Sequence, residues 1–126
     1  MIQDTKTWSF ENDRFTISTA QGFETYLFKD LIMCKGDNNM TELYILGLKA
    51  PITVSQTLKV WEDGLAPKEF WRIQKSYIIN HRHILKYYHT DSTVLLMQDC
   101  IAYVNDANNG RVIAAFRANM MGKAKA

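Results

Sequence analysis

Arg72 and Lys75 lie within the segment Phe70-Trp71-Arg72-Ile73-Gln74-Lys75-Ser76-Tyr77-Ile78-Ile79-Asn80. Their chemistry is anion recognition: a guanidinium offers a planar fork of donors and an ammonium a compact charge, and both suit phosphate oxygens or the acceptor edge of guanine. Gln74, between them, presents an amide that can hydrogen-bond an adenine edge or a phosphate but cannot titrate near neutrality. The flanking residues are apolar β-formers, so a rigid element would carry these groups. Each also has a plainer reading. Arg72 is equally suited to pair with a carboxylate while its stem covers apolar surface. Ser76 and Asn80 suit turns, where their side chains satisfy backbone groups on either side of Tyr77-Ile78-Ile79. Trp61, Trp71 and Tyr77 fall in apolar periodic stretches and read as core rather than as base-stacking platforms.

Other reactive side chains point to less. His81, His83 and His89 have no Cys or carboxylate at ligand spacing, so they read as surface or turn histidines and no metal is expected. Cys34 and Cys100 sit in apolar stretches without CxxC spacing, as small core residues of a reducing compartment do. Asp30, Asp37, Asp63, Asp91 and Asp99 fall in turns, where turn chemistry accounts for them. Phosphate-loop, dinucleotide-binding, nucleophile-elbow and zincin motifs are all missing, so neither an enzyme nor a cofactor is expected.

The chain has 126 residues, 47% of them hydrophobic, enough for one domain with its own core. It contains no apolar run of about 18 residues. Its start, Met1-Ile2-Gln3-Asp4-Thr5-Lys6, lacks the layout of a signal peptide. A cytoplasmic protein without a membrane partner is the expectation. The net charge is only +2, but residues 1–63 carry six Lys and Arg against nine carboxylates, and residues 64–126 carry nine against four. A basic second half hints at a polyanion partner.

These groups must be positioned by short strands. Phe15–Thr19 and Phe23–Phe28 alternate around Gln21-Gly22, which predicts a hairpin. Leu31–Cys34 and Thr41–Leu46 predict a second one, with Lys35-Gly36-Asp37-Asn38-Asn39 as its exposed tip. After Pro51, Ser55 suits an N-cap, Leu58, Trp61 and Leu65 recur at helical spacing, and Gly64 suits a left-handed stop. Phe70–Ile73, Tyr77–Ile79, Ile84–Tyr88, Thr93–Met97 and Ile101–Val104 read as further strands, with turns at Thr90-Asp91-Ser92 and Gln98-Asp99. Beyond Asn105 the period changes: Val112, Ala115, Phe116 and Asn119 share one side of a short C-terminal helix capped by Asn105 or Asp106. The stretch through Arg14, with Trp8 and Phe10, suits a linker or an extra strand.

The Phe70–Asn80 segment, followed by Ile84, closely resembles the signature of the LytTR DNA-binding family, Phe-x-Arg-x-His-Arg/Lys-Ser-Tyr-hydrophobic-x-Asn. The similarity extends from about Phe15 to Phe116. It implies a mainly β fold: an elongated stack of short antiparallel sheets with one short internal helix and a short C-terminal helix. The corresponding division is an N-terminal extension or linker over 1–14, the LytTR-like domain over 15–118 and a tail over 119–126. The resemblance further implies duplex DNA recognition by loops in successive major grooves, as output of a bacterial two-component response regulator. By the same resemblance Lys75, the hairpin tip near Asn39 and Met40, and the end of the last strand near Asn105 contact DNA. Two departures stand out. Gln74 replaces the family's frequent His, and Val104-Asn105-Asp106-Ala107-Asn108-Asn109-Gly110 holds no base before Arg111, where the family has a Ser followed by basic residues. Asn38, Asn39, Asn108 and Asn109 are also common turn formers in their own right.

The expected function is sequence-specific duplex binding in transcriptional control, with Lys75, Arg72, Gln74, Asn39, Met40, Asn105 and Arg111 as site residues. Two copies on repeated half-sites are expected, since one small module offers limited contact area. A receiver domain of about a hundred residues does not fit upstream in this chain, so phosphorylation control is expected to be absent, supplied by a receiver or sensor in another chain, or lost by truncation of a longer protein. The competing reading is a LytTR-like protein-interaction module that has lost DNA binding, favoured by Asp106 and the low net charge.

Overall fold

The computed structural model describes residues 12–66 and 68–125. Trp8, Phe10 and most of the expected N-terminal extension lie outside the described residues, and Arg14 already opens the first strand. The elements run β1 (Arg14–Thr19), β2 (Gly22–Leu27), β3 (Leu31–Asp37), β4 (Met40–Ile45), β5 (Ile52–Val54), α1 (Leu58–Leu65), β6 (Phe70–Gln74), β7 (Tyr77–Asn80), β8 (Ile84–Tyr88), β9 (Thr93–Leu96), β10 (Ile101–Tyr103) and α2 (Asp106–Ala118). All strand pairs are antiparallel. They form a β1-β2 ribbon, a central five-stranded sheet in the order β5-β4-β3-β7-β6, and a three-stranded sheet β10-β9-β8. This is the β-rich stack of small sheets with two short helices that the sequence led us to expect.

The central sheet is covered on both faces, which explains why Leu31–Cys34 of β3 and Tyr77–Ile79 of β7 are continuous apolar runs rather than alternating ones. On one face Leu31, Cys34, Leu43, Ile45 and Ile78 pack with Ile17 of the ribbon and Leu58 and Leu65 of α1. On the other, Ile32, Met33, Ile73, Tyr77 and Ile79 pack with Val94, Leu96, Ala102 and Val104 around the three-stranded sheet, and with Val112 of α2. A register shift between Leu31 and Met33 lets two successive residues, Ile32 and Met33, face the same side. Trp61 and Trp71 are half-buried against these cores and Tyr77 is buried, as expected of core aromatics. Cys34 and Cys100 are free and buried, and burial pushes the Cys34 thiol far up.

Four local expectations are corrected. The hairpin tip shrinks to Asn38-Asn39, with Asn38 at φ 57, because β3 runs on to Asp37 and Lys35 pairs with both Glu42 and Tyr77. Gly36 is therefore a strand residue, small because a Cβ there would lie 3.4 Å from the Leu58 side chain. Helix α1 starts after Thr57 rather than Ser55 and has no side-chain cap bond. Gly64 lies inside the helix, and the residue after Leu65, Ala66, is right-handed (φ −53). Finally, His83 is buried within the 3-10 turn His81–His83, its Nε2 at 2.5 Å from the Lys29 carbonyl. The cap of α2 is Asn105, whose side chain accepts from the Asn108 amide.

Candidate nucleic-acid interface

Antiparallel pairing places several turns at one end of the central sheet. Lys35 of β3 lies opposite Tyr77, the first residue of β7, so the β3–β4 tip and the β6–β7 turn at Lys75-Ser76 are neighbours. The Gly36 amide donates to the Ser76 carbonyl at 2.9 Å. The start of α2 docks beside them: Asn108 Nδ2 donates to the Ile73 carbonyl at 3.1 Å, and the Asn105 amide reaches the same oxygen at 3.5 Å. The β8–β9 turn follows, with Val104 N–H to the Ser92 carbonyl at 2.9 Å and Asn109 Nδ2 to Ser92 Oγ at 3.3 Å.

Arg72 sits beneath the β6–β7 turn. The strand pair slips between Arg72 and Gln74, and the guanidinium serves the carbonyls beyond the slip. Its Nε donates to the Gln74 carbonyl at 2.9 Å, its Nη2 to the Lys75 carbonyl at 2.5 Å, and its Nη1 to Glu62 Oε1 at 2.7 Å. Four successive carbonyls, 73 to 76, are thus each held by groups outside the β6–β7 ladder. Held this way, the turn is preorganised and presents Lys75 outward. Lys75 is exposed, and among the described residues no carboxylate pairs with it.

Five of the site residues expected from sequence therefore gather at this end: Lys75, Gln74 at the close of β6, Asn39 in the tip, Met40 opening β4, and Asn105 capping α2. Asn105 Oδ1 accepts from the Asn108 amide at 3.0 Å and from Asn108 Nδ2 at 2.8 Å. Arg72 is drawn inward as the plainer reading had it, ion-paired and under the turn. Arg111 is set back along α2, its guanidinium 5.2 Å from the centre of the Trp71 ring. Sequence reasoning missed Glu62 and the tie made by Asn108, because both act on residues remote in the chain and no local pattern marks such a pair. The end is mixed in charge, since exposed Asp37 and Asp106 flank it. Asp106 is favourable at a helix start, which accounts for it locally.

Behind Trp71, its ring centre 3.6 Å from that of His81, the histidine Nε2 is buried with no hydrogen-bond partner among the described residues. Desolvation lowers the His81 pKa, the Arg111 charge lowers it further, and Glu69 opposes both. Elsewhere, a groove of about 1070 Å³ between the β1-β2 ribbon, β5 and α1 is lined by residues such as Phe15, Ile17, Ser55, Val60 and Trp61, with no acid, base or thiol among them. Among the described residues, no three His, Cys, Asp or Glu side chains come together to hold a metal ion, and no helix is long and apolar enough to cross a membrane.

The LytTr DNA-binding domain family matches residues 21–104. No curated protein matches the chain. Among solved structures it is similar to the LytTr DNA-binding domain of a Bacillus cereus protein assigned as a methyl-accepting/DNA response regulator, at a TM-score of 0.64 and 18% identity, covering 88% of this chain and 100% of that one. That likeness is one of fold.

Proposed function

The chain belongs to the LytTR DNA-binding domain family, and from that premise we propose that it reads duplex DNA sequence-specifically as a bacterial transcription regulator. The observation that carries the proposal is the Lys75 turn: an exposed, unpaired cation on a backbone whose carbonyls are all tied, flanked by the Asn39-Met40 tip and by Asn105. Lys75 meets a phosphate or a guanine edge, and Gln74, Asn39 and Asn105 supply amide groups for base edges. Met40 offers apolar contact to a thymine methyl. The tip and the α2 cap enter successive major grooves on either side, with Arg111 reaching the flanking backbone. Arg72 contributes by holding the turn. Two copies bind repeated half-sites in the cytoplasm, and a receiver or sensor in another chain supplies the signal.

A second reading has its own support. Asp37 and Asp106 lie at this end, and no base stands between Val104 and Arg111, which suits a protein partner better than a polyanion. Fluorescence anisotropy against labelled duplexes from the protein's own upstream region and scrambled controls, over a salt series, separates the two. Tight binding that prefers the native duplex and falls steeply with salt supports DNA reading. Weak binding indifferent to sequence at low salt, or none, puts the interaction module first.

A further inference from the structure

We infer that Glu62 and Asn108 are positioning residues for DNA recognition, acting on the Lys75 turn from two different helices; the inference rests on the DNA-binding reading of this end. A turn that follows a slip in strand pairing has carbonyls free of the ladder, and without partners it would swing with solvent. Here Arg72 takes the carbonyls of Gln74 and Lys75, and Glu62 Oε1 holds the guanidinium by Nη1. Because a guanidinium is planar and rigid, fixing one nitrogen aims the other two. The carboxylate sits on α1, which Leu58 and Leu65 anchor in the core, so the placement of that helix is passed to Lys75. Asn108 does the same from α2. Its Nδ2 is shared between the Ile73 carbonyl and Asn105 Oδ1, joining the last residues of β6 to the loop that carries Asn105.

The consequence is a recognition surface whose parts are spaced before DNA arrives. Loosening either tie makes ordering of the turn part of the binding cost, so affinity falls although no phosphate contact is lost. The direction is diagnostic for Glu62. If the carboxylate acted only through its charge, removing it would tighten the hold on a polyanion. As a positioning residue its removal weakens it.

The test combines Glu62→Gln with Lys75→Gln in a double-mutant cycle on duplex binding, with amide hydrogen exchange of the DNA-free protein as an independent readout. Glu62→Gln should weaken binding about 5- to 10-fold with an unchanged salt slope, and should have little effect once Lys75 is gone. Exchange should rise in the peptide spanning residues 70–80 and stay as it was in the peptide spanning 93–104. Asn108→Ala should give the same pattern, which guards against a variant that simply unfolds. Tighter binding by Glu62→Gln, an equal effect in both backgrounds, or unchanged exchange at 70–80 overturns the inference. Failure of the wild-type protein to bind any duplex overturns the DNA reading instead, and the exchange data still decide whether Glu62 and Asn108 hold the turn.

Discussion

The two ends of the central sheet are both pinned by polar side chains, but to different effect. At the end away from Lys75 two of the pins are inside the protein. Asn80, 3% exposed, donates to the Leu31 carbonyl at 2.9 Å and accepts from the Arg82 amide at 3.0 Å. His83, 7% exposed, meets the Lys29 carbonyl. A third, Gln98, lies at the surface between β9 and β10 and reaches the Gly47 amide and the carbonyls of Ile45 and Leu48. At the Lys75 end the pins are charged or amide groups that are half-buried or exposed: Arg72 with Glu62, and Asn108 with Asn105. Asn80 uses both ends of its amide on the fold. The pins at the Lys75 end fix backbone while leaving a neighbouring cation in water, where a polyanion can reach it.

The comparison breaks most sharply at Lys75. Lys75→Glu should weaken duplex binding about 100-fold, from a lost contact worth about 1–3 kcal/mol and a new repulsion, and leave the thermal midpoint unchanged. Binding that survives this reversal would remove Lys75 from the site. At the opposite end the effects exchange places. Asn80→Ala leaves the Leu31 carbonyl without its side-chain donor and should cost about 2 kcal/mol of stability, read in urea melts, while the protein that remains folded binds DNA as before. Equal damage to both properties would mean that the ends are not separable.

A smaller effect sharpens the picture. The His81 pKa is lowered in the fold, so the unfolded chain takes up a proton that the native protein resists. Stability associated with neutral His81 is full above its ordinary pKa of 6.5 and is lost as pH falls below it. His81→Gln should therefore lose less stability than the wild type between about pH 7.5 and about pH 5 in parallel melts. Parallel curves would show that His81 is protonated as readily in the fold as outside it.

Much of this was legible in the sequence because it is local. Alternation marked the hairpins, and the unbroken runs Leu31–Cys34 and Tyr77–Ile79 are those of strands covered on both faces. The Phe70–Asn80 segment carried the family resemblance that the match over residues 21–104 bears out. Long-range packing hid the rest. Gly36 looked like a turn residue and is a strand residue making room for Leu58. Gly64 looked like a helix stop, but α1 continues through it to Leu65. His83 read as a surface or turn residue, and it lies in a turn but is buried, because nothing beside it in sequence foretells the Lys29 carbonyl. Arg72 offered two readings with no local means of choosing between them, since its carboxylate stands on α1 across the intervening loop.

The central claim is that Lys75 meets the polyanion directly from a turn already fixed in place. The most direct test compares the salt dependence of duplex binding for the wild-type protein and Lys75→Gln. Loss of one phosphate contact should lower the slope of log affinity against log salt by about 1, with the thermal midpoint unchanged. An identical slope in the two proteins would show that Lys75 does not contact a phosphate, and would contradict the account.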